Sequence, residues 1–183
     1  MHRFLSLSVL SLSIVLAGCS KSESPVPDYE PTPQEERLAG LIAERLQVAP
    51  DVAWSKYLSD DPVHDPERET ELLKSLTEQA EPHGLGSAFV ESLFDAQFRA
   101  SRQWQRLRIE DWRRGEELPA DETPDLREDI RPQLNRISAE LMEVLVPFQD
   151  GGRPGFRAWC IHWLSEQGIP RAVAETATQP FAF

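Results

Sequence analysis

The chain has 183 residues, with 31 acidic against 19 basic side chains and a formal net charge of −12. That balance argues against a nucleic-acid partner, because phosphate backbones are held by an excess of Lys and Arg. The four histidines, His2, His64, His83 and His162, form no ligand spacing with one another or with the two cysteines, so no metal is expected.

The first segment, MHRFLSLSVLSLSIVLAGCS, has a basic start, an apolar run from Phe4 to Leu16 that is short for a membrane span, and small residues at a cleavage point. Residues 1–18 read as a signal peptide of the lipoprotein type. Leu16-Ala17-Gly18-Cys19 resembles a bacterial lipobox, which implies lipidation of Cys19 and a periplasmic protein held to a membrane by that anchor alone. Ser20 rather than Asp after the cysteine leans, by resemblance to sorted lipoproteins, towards the outer membrane. SKSESPVPDYEPT then has too little apolar surface to fold, so residues 19–32 read as the lipidated cysteine and a tether. Residues 33–183 remain, about the size of one domain. With Cys19 lipidated, Cys160 is the only thiol left, and it is expected as a small core residue.

Helix signals recur along the domain and strand signals do not. Thr32-Pro33-Gln34-Glu35 is a capping box with proline at the first helical position, and Leu38, Leu41, Ile42 and Leu46 follow at helical spacing. Pro50 bends or breaks that helix, and Val52 to Leu58 resumes it. Asp65-Pro66-Glu67 starts a second helix, which passes Leu72, Leu73 and Leu76 and stops near Gly84. Ser87 is expected to cap a third that runs past Trp104 and Trp112 to Gly115. After a loop with Pro119 and Pro124, Pro132 lies near the start of a helix carrying Leu134, Ile137, Leu141 and Leu145. Asp150-Gly151-Gly152 is a turn, and Phe156–Leu164 and Arg171–Thr178 read as short closing helices. The expectation is a single all-α domain of about six helices.

Polar residues interrupt the inward faces of these helices. The stripe that begins with Val90 and Phe94 continues through Gln97, Ser101 and Gln105. Each needs a hydrogen-bond partner, since an unpaired buried amide or hydroxyl costs about 1–3 kcal/mol. Arg45 and Lys56 lie eleven residues apart, about three turns, on one side of a helix continuing through Pro50. Arg68 falls in a first helical turn, where the helix dipole disfavours a cation. Arg136 sits among Leu134, Ile137 and Leu141. Taken singly, such cations are usually solvated or snorkelling. Together with Ser101 and Gln105 they weaken that reading, and the partners of these groups are either other protein groups or a ligand.

In residue type, order and spacing, Arg45, Lys56, Asp65-Pro66-Glu67-Arg68-Glu69, Ser101 and Gln105 resemble the active-site signature of the all-α chorismate mutases. With an export signal before ERLQVAPDVAWSKYLSDDPVHDPERE and a helical tail after it, the chain resembles the exported, gamma-type branch. The resemblance implies a pericyclic rearrangement of the dianion chorismate to prephenate, which needs no cofactor. It implies that Lys56 and Gln105 serve the breaking ether bond, and that Arg45, Arg68 and Arg136 clamp the two carboxylates. Ser101 would help hold the ring carboxylate, and Glu69 or the backbone near Asp65 would take the ring hydroxyl. Gln97 is expected as a structural amide. The arginine supplied by the same chain is matched to Arg136, with Arg131 or Arg127 next in line. A homodimer of helical subunits is the assembly the resemblance suggests. Two other readings stay open: elimination of pyruvate from isochorismate on the same scaffold, and a non-catalytic, anion-binding helical lipoprotein.

Overall fold

A computed structural model describes residues 29–119 and 125–182. The expected signal peptide, Cys19, most of the tether and Pro124 lie outside the described residues. The described residues are all-α, with helices α1 (Pro33–Gln47), α2 (Ala49–Ser59), α3 (Pro66–Ala80), α4 (Ser87–Arg113), α5 (Arg131–Val144), α6 (Phe156–Glu166) and α7 (Arg171–Ala177).

Local chemistry explains most boundaries. The Thr32 hydroxyl accepts from the Glu35 backbone N–H while the Glu35 carboxylate accepts from the Thr32 N–H, which closes the capping box at α1. Pro50 does break the first helix, but only at Val48, which keeps right-handed helical angles, so α2 continues almost directly from α1. Asp65 caps α3 by accepting from the Arg68 N–H at 3.0 Å. Helix α3 ends in a 3₁₀ turn, Glu81–His83, and Gly84 takes the left-handed conformation that glycine adopts without a Cβ penalty.

One expected boundary is corrected. Ser87 is the first residue of α4 rather than its cap; Gly86 holds the cap position, and its N–H donates to the Gln149 side chain. Tyr29 and Glu30, just before the capping residue, are fastened to the tail. Arg153 donates to the Glu30 carbonyl and lies over the Tyr29 ring, which packs near Trp159.

The long helix α4 packs against α2 and α3 on one side and α7 on another, while α1 packs against α5 and α6. Leu38, Leu41, Ile42 and Leu46 of α1 join Val90, Leu93 and Phe94 of α4 and Ile137 and Leu141 of α5 in the main core, all fully buried. Phe156, Cys160, Val173 and Phe181 bring the tail into the same core. Cys160 is enclosed as expected, and burial pushes its thiol up to about 12. A separate cluster of Trp54, Ile109 and Trp112, with Tyr57 against it, ties α2 to the far end of α4. Between these two clusters the facing helices leave a space lined by polar side chains.

Candidate active site

That space is a cavity of about 380 Å³, within the range of small-ligand sites. Arg45 and Lys56 reach it from the α1–α2 rod, Asp65, Arg68 and Glu69 from the start of α3, and Ser101, Arg102 and Gln105 from α4. Arg131, Leu134, Asn135 and Ser138 of α5 complete the wall, with Val52, Leu72, Leu76, Phe98 and Ile130 supplying apolar surface. Elements far apart in sequence therefore bring seven of the eight expected ligand residues to one cavity.

Arg136 is the exception. It is half exposed and pairs with Glu44 of α1 and Glu140 one turn on. Residues 131, 134, 135 and 138 line the cavity at helical spacings of three and four, whereas Arg136 stands about 200° from Leu134 around the axis. The arginine that α5 presents to the cavity is Arg131. It has no ion pair among the described residues, and burial, then the nearby Arg68 and Arg127, lower its pKa.

The cations at this cavity are poorly compensated. The Arg45 guanidinium lies 5.5 Å from the Phe94 ring centre and 5.6 Å from that of Phe98, and it donates to the Ser138 hydroxyl at 3.2 Å. No carboxylate pairs with it among the described residues, and burial brings its pKa down to about 10. Lys56 donates to the Val63 carbonyl at 2.8 Å and forms no ion pair among the described residues. Burial also lowers the Lys56 pKa, against the pull of Asp65, Glu69 and Asp61 and with help from Arg102. Arg68 makes no side-chain hydrogen bond or ion pair among the described residues. Glu69, by contrast, pairs with Arg102, a residue that sequence reasoning missed.

The polar stripe of α4 divides in two. Gln97 donates to the Ala177 carbonyl at 3.0 Å, which makes it a buried strut between α4 and the end of α7. Gln105 donates to the Ser101 hydroxyl at 3.0 Å on the cavity wall, and neither amide has a partner for its Oε1 among the described residues. Ser138 was also missed. It reads as an ordinary helix serine, since its hydroxyl donates to the Leu134 carbonyl one turn back, and only the tertiary arrangement brings it to Arg45.

No group of three or more His, Cys, Asp or Glu side chains that could hold a metal occurs among the described residues. What the cavity offers is fixed positive charge, amide and hydroxyl donors and apolar walls. Such a site belongs to an all-helical protein that takes up a small organic polyanion.

The comparisons agree with that class. Residues 35–106 match the chorismate mutase type II family. A secreted chorismate mutase from Mycobacterium tuberculosis is 30% identical over 137 residues, covering 73% of this chain and 69% of the relative. Among solved structures, a chorismate mutase from Burkholderia thailandensis superposes with a TM-score of 0.73 at 29% identity, over 81% of this chain and 99% of that one. The secreted chorismate mutase of Yersinia pestis superposes with a TM-score of 0.69 at 25% identity, covering 79% and 94%. The chain belongs to the all-α chorismate mutases, in the exported branch.

Proposed function

We propose that the protein rearranges chorismate to prephenate outside the cytoplasm. The observation that carries this reading is Arg45, a desolvated guanidinium on a cavity wall whose partners are two aromatic rings and one hydroxyl. A buried charge without a counter-charge is costly, and an anionic ligand is the partner that removes the cost. Arg68 and Arg131 stand in the same wall without ion pairs among the described residues, so a substrate with two carboxylates fits the supply of positive charge.

The reaction needs no nucleophile. An enzyme accelerates it by holding the enolpyruvyl side chain folded over the ring and by stabilising negative charge on the ether oxygen as the C–O bond breaks. In this reading the three arginines and Ser101 hold the carboxylates and fix the folded geometry. Lys56 spends one N–H on the Val63 carbonyl and has two more, one of which donates to the ether oxygen. Gln105 uses one amide N–H on Ser101 and has a second for that same oxygen. Glu69 accepts the ring hydroxyl, whereas Asp65 acts through the helix cap that orients the first turn of α3. Arg131 takes the role first assigned to Arg136.

Purified residues 20–183 incubated with chorismate should produce prephenate without added metal or nucleotide, and EDTA should leave the rate unchanged. A folded sample that stays inactive, or one silenced by chelation, would sink the reading. Isochorismate as a parallel substrate separates the sister elimination, because pyruvate would then be the product.

Two further proposals concern placement. Cys19 carries lipid and holds the domain at a bacterial membrane, the outer membrane by the residue that follows it. Cys19→Ser should then move the protein to the soluble fraction. The assembly is a homodimer, which light scattering on the soluble domain tests directly.

A further inference from the structure

Glu69 is the one acidic side chain of the cavity wall that holds an ion pair, and its partner Arg102 has no role in the reaction proposed above. The two come from different helices, 33 residues apart in the chain, with side chains 22% and 14% exposed. Arg102 engages Oε2 of Glu69, and His64 Nε2 lies 3.7 Å from that same oxygen. Oε1 has no protein partner among the described residues. Lys56 faces the pair from α2.

This geometry has two consequences for an incoming dianion. An uncompensated carboxylate in the wall would repel it, and Arg102 cancels that charge. A free glutamate would also sample several rotamers, whereas one oxygen fixed to α4 leaves the other presented to the cavity as an acceptor. We infer that Arg102 is a positioning residue for substrate recognition: it holds Oε2 of Glu69 so that Oε1 accepts a hydroxyl of the substrate. Arg102 acts through Glu69 and not on the reacting atoms. The inference rests on the chorismate reading of the site.

Steady-state kinetics on chorismate with wild type, R102Q, R102K, E69Q and the double variant E69Q/R102Q test it, with far-UV circular dichroism and Tm recorded for each. R102Q should lower kcat/KM by about tenfold, the scale of one charge-assisted hydrogen bond, mostly through KM. R102K, which keeps the charge, should recover most of that loss. In the E69Q background the same R102Q change should cost less than about twofold, because the group it positions is already altered. A purely structural role would put the rescue and the non-additivity in Tm and leave KM unmoved. If R102Q fails to fold, R102M, which keeps the aliphatic stem, carries the same expectations. Active wild type with R102Q unchanged, or with equal losses in both backgrounds, overturns the inference alone. Wild type inactive on chorismate overturns the reaction and the inference with it.

Discussion

Two charged regions of this molecule are built in opposite ways. At the clasp where the chain enters the domain, Glu35 is 2% exposed and every requirement of its carboxylate is met. It accepts from the Tyr29 hydroxyl at 2.6 Å, from the Thr32 N–H at 2.8 Å and from Arg153 through two nitrogens. At the cavity, Arg45 is desolvated, and among the described residues it has one hydroxyl and no carboxylate. The clasp is closed within the chain and the cavity is not. Buried charges are normally paired, so the closed arrangement signals structure and the uncompensated charge signals an anionic ligand.

Replacing Arg45 with methionine keeps the stem and removes the charge, and it should break the comparison most visibly. Two charge-assisted hydrogen bonds to a carboxylate are worth about 3 kcal/mol or more, so kcat/KM should fall at least about a hundredfold. Tm should hold or rise, because a desolvated charge disappears from the free protein. A large loss of Tm would make Arg45 a structural residue. Because its pKa stays near 10, the wild-type guanidinium is charged throughout the neutral range and no titration of Arg45 should appear there.

Arg131 and Arg136 sharpen the contrast within a single helix. Arg131→Ala should cost at least about tenfold in kcat/KM. Arg136→Ala removes exposed ion pairs to Glu44 and Glu140, and its kinetics should stay within about twofold of wild type. The opposite order would return the clamp to Arg136 and displace the assignment made from the cavity.

These two arginines also mark where the sequence stops being readable. The capping box at Thr32, the start of α3 at Asp65 and the spacing of Arg45, Lys56, Arg68, Ser101 and Gln105 are local patterns, and they survive folding because each lies within a regular element. The phase of α5 is not local. Its first turn is preceded by a π-helical turn, Leu126–Ile130, which no spacing of apolar residues announces. Ile137 and Leu141 point to the core while Leu134 and Ser138 face the cavity, so an arginine beside the core stripe was matched in place of one on the cavity face. Arg102 was missed for a related reason: its partner Glu69 is distant in sequence, and an Arg on an amphipathic helix is usually a solvated one. The clasp was half legible. Glu35 was visible as a capping residue, whereas Arg153 comes from a turn more than a hundred residues away.

Glu35→Gln tests the closed half of the comparison. Burial alone would raise the Glu35 pKa, but hydrogen bonds from Arg153 above all, then from the Thr32 backbone, Tyr29 and the Thr32 hydroxyl, hold it at about 2, below its ordinary 4.5. A depressed carboxylate pKa contributes stability above about pH 4.5 that is lost as pH falls towards 2. Wild type should therefore lose Tm across that interval, and the variant should show a flatter acid limb. At neutral pH the substitution should cost about 1–3 kcal/mol, read from urea unfolding, because a buried network keeps its donors and loses its charge. The kinetics of the folded variant should be unchanged. A fall in kcat/KM without loss of stability would mean that clasp and cavity are coupled.

Ser138→Ala is the smallest change and the finest test of how far the cavity depends on the ligand. The Ser138 hydroxyl accepts from Arg45 and donates to the Leu134 carbonyl, so it is a relay between a helix backbone and the guanidinium. The Leu134 carbonyl loses little on substitution, since it belongs to the continuous hydrogen-bond ladder of α5 and a serine back-bond one turn away is dispensable. Arg45 loses its only side-chain hydrogen bond among the described residues and keeps only the two rings. If the substrate carboxylate is what finally orients the guanidinium, the loss is that of one net hydrogen bond, about 0.5–1.5 kcal/mol, or a two- to tenfold fall in kcat/KM. It should appear mainly in KM, because free Arg45 must be ordered at the moment of binding. Ser138→Thr, which keeps the hydroxyl, should restore it. A loss as large as that of Arg45→Met would show that the protein, rather than the ligand, sets the guanidinium in place, and the cavity would then be closed by its own side chains in the manner of the clasp.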